Sequence, residues 1–421
     1  MLSISVLRRI GGTAIATTLA FGTTLALGPG AVALTFGMAL ALGPGAAAAA
    51  PYHPASDEEK LEQLPLRPAA PEARELSSLR AALARDPNDI GAAVRLSRRY
   101  IELGRQSGDP RYDGYAQAAI APWWKLEEPP QPVLVLRATL RQHIHQFDAA
   151  LGDLAVALRR DPRDVQSRLT RATVLQVRGE WDAARRDCQA LTGLTLELVT
   201  AACTAGVDSL HGRLQSSYAA LSGVLARHPE APPAIREWVL SQLAEMAERL
   251  GRAEDARRLY DAAIAADPQD PYVIGTYADF FLDHHQPERA AELTREHTRN
   301  DALLLRYALA HKAMGAADAA GLVQELRDRF AASRLRGDRV HLREEARFRL
   351  ELDGDAESAL RLAQENWAVQ KEPADAGIFL QAAAAAHATD AGDAVRNWLS
   401  ERGYEDARFA VTAPRRVAVS Q

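Results

Sequence analysis

The sequence predicts an all-α chain that stacks helix pairs into a solenoid, and three observations carry the prediction. Within Pro132 to Leu191 the chain repeats itself: Arg137-Ala138-Thr139 returns as Arg171-Ala172-Thr173, Gln142 as Gln176, and Phe147-Asp148-Ala149-Ala150 as Trp181-Asp182-Ala183-Ala184, each 34 residues later. A fixed period of that size marks a two-helix unit that cannot bury its apolar face alone and must stack on copies of itself. Composition agrees, because aromatic residues make up only 6% of the 421 while alanine, which lets helices approach closely, is abundant. Helix-stopping prolines close successive units at Asp86-Pro87, Asp161-Pro162 and Asp267-Pro268.

The residues and interval of the central pair resemble a tetratricopeptide repeat (TPR), a family made mostly of protein-binding scaffolds. The stretch from about Pro233 to Pro268 carries the same resemblance, with Leu243-Ala244, Ala247, Gly251, Ala256, Tyr260, Ala263-Ile264 and Asp267-Pro268 in place. Each has a mechanical role: Ala244 and Ala256 are small where helices cross, Gly251 permits the turn, and Pro268 stops the second helix. The resemblance implies a right-handed superhelical solenoid of about eight units covering roughly three quarters of the chain.

In chain order, residues 1–49 read as a signal peptide. Arg8 and Arg9 form a positive start, an apolar run follows from Ile15 to Leu27, and Ala46 to Ala50 offer small residues for cleavage. Phe21-Gly22 to Gly30 recurs as Phe36-Gly37 to Gly45, which lengthens the leader, and Gly28-Pro29-Gly30 interrupts a spanning helix. An uncleaved signal anchor is the alternative. Residues 50–72 are rich in proline and charge and read as a linker. Residues 73–403 carry the repeats, opening on a lone second helix that ends at Asp86-Pro87. The next unit has Leu96, Tyr100 and Gly104 at the family's spacing, with about seven residues near Ser107 to Asp113 inserted in its turn. Gly212 marks a degenerate copy, Tyr277-Ala278 and Tyr307-Ala308 open two further units, Ala346 to Pro373 gives another, and Asp375 to Gly403 a closing pair. Residues 404–421 read as a tail.

Charge and motif content narrow the function. The formal net charge is -5, which argues against nucleic acid as a partner. No lysine follows a glycine, so a Walker A loop is excluded, and neither His-Glu-x-x-His nor Gly-x-Ser-x-Gly occurs. His143 and His145 would project to nearly opposite sides of a helix and cannot share an ion, so no metal is expected. His284-His285 suits a helix end and Trp123-Trp124 suits packing. No cofactor is called for.

In TPR proteins the first helices of successive units line a concave groove. By register, the resemblance places Gln142, His143 and Gln176 on that face in the central units, then Glu245, Glu248, Arg249, Asp279 and Asp283, with Trp238 and Tyr272 near the helix starts. The groove is thus expected to be polar, then acidic with aromatic edges. The family's lysine and asparagine clamp for acidic tails is not supported, since those positions hold Val135, Thr139, Leu169, Thr173, Ser241 and Glu245. Cys188 and Cys203 fall on neighbouring antiparallel helices almost symmetrically about a turn, where an oxidising compartment would let them pair; two buried thiols are the alternative. The expectation is an exported, non-catalytic scaffold in a bacterial periplasm that binds a protein or peptide and meets the membrane only if the leader stays attached. The rivals are a tethered envelope assembly factor at the inner membrane and a hydrolase acting on peptidoglycan from the groove.

Overall fold

The computed structural model describes Ser56, Glu59 and residues 71–409; the leader and most of the linker lie outside them. Twenty α-helices and no strand occur among the described residues, so the chain is an all-α solenoid. A lone helix, α1 (Pro71–Arg85), precedes nine helix pairs, one more than the repeat count of about eight.

The pairs are α2 (Ile90–Ser107) with α3 (Arg111–Ala119) and the short α4 (Ala121–Trp124); α5 (Gln131–His143) with α6 (Phe147–Arg160); and α7 (Val165–Val177) with α8 (Trp181–Gln189). There follow α9 (Glu197–Asp208) with α10 (Leu214–Arg227), α11 (Pro233–Arg249) with α12 (Ala253–Ala266), and α13 (Pro271–Asp283) with α14 (Pro287–Thr294). The last three are α15 (Asp301–Met314) with α16 (Ala319–Leu335), α17 (Leu342–Arg347) with α18 (Ala356–Val369), and α19 (Pro373–Ala385) with α20 (Thr389–Glu401). A π-helical stretch, Phe348–Asp353, continues α17.

Local chemistry sets the boundaries. Asp89, Asp164 and Asp270 cap α2, α7 and α13 by accepting backbone N–H bonds, and prolines open α11, α13, α14 and α19, where the missing N–H costs nothing. The inserted residues of the first full unit lengthen α2, which runs on through Gly104 to Ser107, instead of widening the turn as the spacing suggested. The turn itself sits one helical turn later, at Gly108. Three turns replace glycine by histidine: His145, His285 and His387 all have φ between 54° and 58°, a region histidine enters more readily than most residues. His145 therefore lies in a turn beyond α5, not on its face.

Ion pairs tie together the two helices of each central unit and share the repeat period. Arg137, 3% exposed, holds Asp153 through two bonds of 2.9 and 2.7 Å, and Arg171 holds Asp187 in the same way at 2.6 Å twice. Cys188 and Cys203 are joined as a disulfide linking α8 to α9, with Cα atoms 5.4 Å apart.

The solenoid also returns on itself. The C-terminal helices dock along the turns of three successive central units: Trp398 of α20 and Lys371 lie against Gly179, Gly403 against Gly212, and Ala407 against Gly251. The Lys371 N–H donates to Val177 O at 2.7 Å, and the Trp181 and Trp398 rings meet edge to face at 5.3 Å. One apolar cluster accordingly runs from Leu169 through Trp238 and Met246 to Leu342, Phe379, Leu399 and Tyr404. At the other end, Arg105 in the last turn of α2 pairs with Asp270, the cap of α13, and Asn300, the cap of α15, lies against Gly108. The tail is thus folded as far as Phe409: Tyr404 is 1% exposed, and its hydroxyl donates to Asp406 at 2.8 Å.

Candidate functional site

The first helices of the middle units bring Glu245 and Glu248 of α11 near Tyr272, Asp279 and Asp283 of α13: Glu245 is bonded to Tyr272, and Glu248, Asp283 and Asp279 lie within electrostatic reach of one another. What the register does not contain is the material facing them. α17 lies across them, and its arginines, with Arg306 of α15 and Arg408 beyond α20, supply positive charge. Asp279 accepts from Arg306 at 2.6 Å and from Arg347; burial would raise its carboxyl, but the two guanidinium groups outweigh burial and lower it. Glu248, 8% exposed, accepts from the Tyr260 hydroxyl and from Arg408 at 3.1 Å. Burial nonetheless pushes it up to about 7, Arg408 only partly offsetting that, with Glu245 and Asp283 adding to the rise.

Glu245 accepts from the Tyr272 hydroxyl at 2.7 Å, and burial raises its carboxyl despite that bond. Asp283 forms no hydrogen bond or ion pair among the described residues, and burial together with Asp279 raises it too. Tyr272 is 42% exposed, and Asp283 is exposed as well, although packed chain surrounds both. That combination describes a solvent-reached lumen, not an outer face. Beyond Tyr272, Arg343 donates to Glu372 at 3.0 Å and to Asp375 at 3.3 Å. Glu344 is held at about 2, because Arg343 and Arg306 overcome the upward push of burial.

The remaining expected groove residues are committed to the packing, which revises the register reading. Trp238 is 7% exposed and sits in the core; with the Gln242 amide turned to suit, its indole N–H donates to Gln242 Oε1 at 2.6 Å. Arg249, 5% exposed, donates to Ser209 O at 2.9 Å and Ser209 Oγ at 2.6 Å, so it fastens the preceding unit. Gln142 is buried. His143 pairs with Asp113 at 3.0 Å, and the half-buried Gln176 fills space beside Gly206. Arg249, His143 and Gln176 each meet a neighbouring unit, and periodicity alone does not say how much of a face that neighbour covers.

Sequence reasoning missed Arg306, Arg343, Glu344, Arg347 and Arg408. A signal existed in the dense alternation of charge from His341 to Asp353, unusual for a helix that also carries the buried Leu342, Ala346 and Phe348. No group of ligating side chains with metal-binding geometry occurs among the described residues. Nor is any helix among them long and apolar enough to cross a membrane.

No protein-family model matches the chain, and no curated protein matches it. Solved structures similar to it include a human IFIT1 dimer with PPP-AAAA, at 12% identity over 70% of this chain and 78% of that one, TM-score 0.41. Yeast Tom70 matches at 13% identity over 76% and 92%, TM-score 0.31. A tetratricopeptide repeat protein from Parabacteroides merdae matches at 12% identity over 73% and 90%, TM-score 0.28. At scores of this size, function rests on the chain's own residues.

Proposed function

We propose that the chain is an exported, non-catalytic adaptor that seats a protein or peptide segment on the inner face of its helix-pair solenoid, in a bacterial periplasm. The observation that carries this reading is the exposed Tyr272 ring and Asp283 carboxylate beside the half-buried Glu245, while their neighbours are tied to one another. An aromatic ring edged by carboxylates offers a segment both contact area and charge-based selection. The Cys188–Cys203 bridge supports an oxidising compartment. A photo-crosslinking amino acid placed at position 272 in the native envelope tests the reading, with Leu335, 89% exposed at the end of α16, as the control position. A discrete product from 272 and none from 335 is expected; equal capture from both, or none from 272, refutes it.

Raised carboxylates are also what a groove hydrolase would display, and Glu248 at about 7 is poised for proton transfer. Arg408 and Tyr260 cover that carboxylate, however, so the adaptor is better supported. Release of soluble fragments from labelled peptidoglycan, lost in Glu248→Gln, would reverse the preference.

A further inference from the structure

The inner surface already contains a stand-in for a ligand. The short 3-10 turn Ala407–Phe409 follows the buried Tyr404 and brings one guanidinium onto Glu248. Arg408 spans two carboxylates: its Nη1 reaches Glu248 Oε2 at 3.1 Å, while its Nη2 and Nε donate to Asp406 at 2.8 and 2.9 Å. Its side chain is 34% exposed where the Glu248 side chain is 7% exposed, so the charge enters from the open side onto a carboxylate held from within by Tyr260. Planar bidentate donors suit such a paired-carboxylate setting better than an ammonium.

Two further facts mark this as a recognition site and not only a closing contact. Charge around it is not fully compensated: Glu245, Glu248, Asp279 and Asp283 face Arg306, Arg347 and Arg408, and Asp283 makes no hydrogen bond or ion pair among the described residues. The contact is also local to one side chain. Tyr404 and Asp406, 1% and 2% exposed, and Phe409, packed on the apolar cluster over Gly377, anchor the segment on either side of Arg408, whereas Ala407 and Arg408 stay exposed. Turning the Arg408 side chain away would leave the Tyr404 and Phe409 anchors in place and uncover Glu248 beside Glu245, Asp283 and the Tyr272 ring.

We propose that Glu245, Glu248 and Asp283 form an arginine-recognition site for a partner segment, and that Arg408 occupies it in cis until the partner's guanidinium displaces it. This rests on the inner-face reading above and adds the chemistry of the partner and a built-in competitor. Selectivity for arginine over lysine is expected because the planar fork of Arg408 already bridges Glu248 and Asp406, and the cis arginine sets a threshold, because a partner binds only in competition with a group tethered at high local concentration.

The test uses the full chain and a fluorescein-labelled peptide, Gly-Arg-Gly-Arg-Gly, against the same peptide with citrulline, which keeps the shape of arginine and removes its charge. Fluorescence anisotropy should show Arg408→Ala binding the arginine peptide at least about tenfold tighter than the unsubstituted chain. Citrulline should abolish binding, and Arg408→Ala with Glu248→Gln should return affinity to the unsubstituted level or below. Arg408→Gln serves as a second release variant if circular dichroism shows that Arg408→Ala has lost helicity. Equal affinity in all variants, or equal binding of the citrulline peptide, overturns the assignment. Crosslinking from position 272 in the same variants separates the two readings: capture that persists without any arginine preference removes this proposal alone, and loss of capture throughout removes both.

Discussion

Glu237 gives the sharpest test of the electrostatics. It lies in the second turn of α11, is 6% exposed, and makes no hydrogen bond or ion pair among the described residues. Burial pushes its carboxyl up to about 8, with Asp270 and Asp267 adding to the rise and Arg105 opposing it. Those groups come from the loop before α13 and from the end of α2, so the carboxyl sits where the solenoid returns on itself. Because the folded value lies above the ordinary 4.5, folding favours the protonated form. The corresponding stability is fully present below about pH 4.5 and is lost as the pH rises through about 8. One unit is about 1.4 kcal/mol, so the whole difference is about 5 kcal/mol, of which about 3 is already missing at pH 7. That is a large share of the total stability of a typical domain. Glu237→Gln keeps the shape and removes the titration. Urea unfolding of both proteins between pH 5 and 9 should give curves that approach one another at the acid end and separate by about 4 kcal/mol at pH 8, with the variant more stable. Parallel curves across that range would refute the assignment of a buried, unpartnered carboxyl.

Reducing the disulfide, or substituting Cys188→Ser with Cys203→Ser, should cost about 3 kcal/mol, the chain-entropy expectation for a 15-residue separation, read as a lower urea midpoint; an unchanged midpoint rejects the bridge as a stabilising element. Asp153→Ala strands Arg137, whose side chain is 4% exposed, and should cost about 3 kcal/mol, moderated by the bonds Arg137 keeps to Trp124 O and Leu126 O. Asp187→Ala strands Arg168 and Arg171, 17% and 29% exposed, and should cost about half as much; equal losses would mean that burial does not set the penalty. Gly179→Ala forces a Cβ to within 2.8 Å of the Trp398 ring at φ +78°, while Gly193→Ala at φ +74° meets nothing. The first should therefore cost about 1–2 kcal/mol more than the second and alter the near-ultraviolet tryptophan signal, and indistinguishable variants would argue against docking of α20 on that turn.

The fold was legible because its cause is local. A 34-residue recurrence of small residues, turn residues and prolines dictates a helix pair, and the pair dictates stacking, so α5 to α8 and α11 to α12 could be placed from residues alone. The paired cysteines followed from the same reasoning, as two positions symmetric about a turn between antiparallel helices. The site was only half legible. Register put Glu245, Tyr272, Asp279 and Asp283 on neighbouring first helices, where they do come near one another, because that depends on helix periodicity. Whether a side chain on those helices is free depends on what crosses them, and Arg347 meets Asp279 across 68 residues while Arg408 meets Glu248 across 160. No local pattern encodes such pairings. Trp238 and Arg249 were misplaced for a related reason: their helix is buried on more than one side, so a residue assigned to the groove by register packs against Gln242 or Ser209 of its surroundings.

Repetition also explains where the chain's own end can dock. A solenoid that repeats its helices repeats its turns, and Gly179, Gly212 and Gly251 occupy equivalent turns of three consecutive units. Small residues there admit close approach, and α20 with the segment after it uses all three, through Trp398, Gly403 and Ala407. A simple repeat array is stabilised only between neighbours, so its units can open independently. Here the last units are fastened to the middle ones by those turns, by the Trp181 and Trp398 contact and by the arginines on the inner carboxylates. The same contacts that make the unfolding of these units interdependent also fill part of the inner face. Stability of the packed units and access to the acidic surface are therefore opposed, and Arg408, whose side chain is 34% exposed, is where that opposition is weakest.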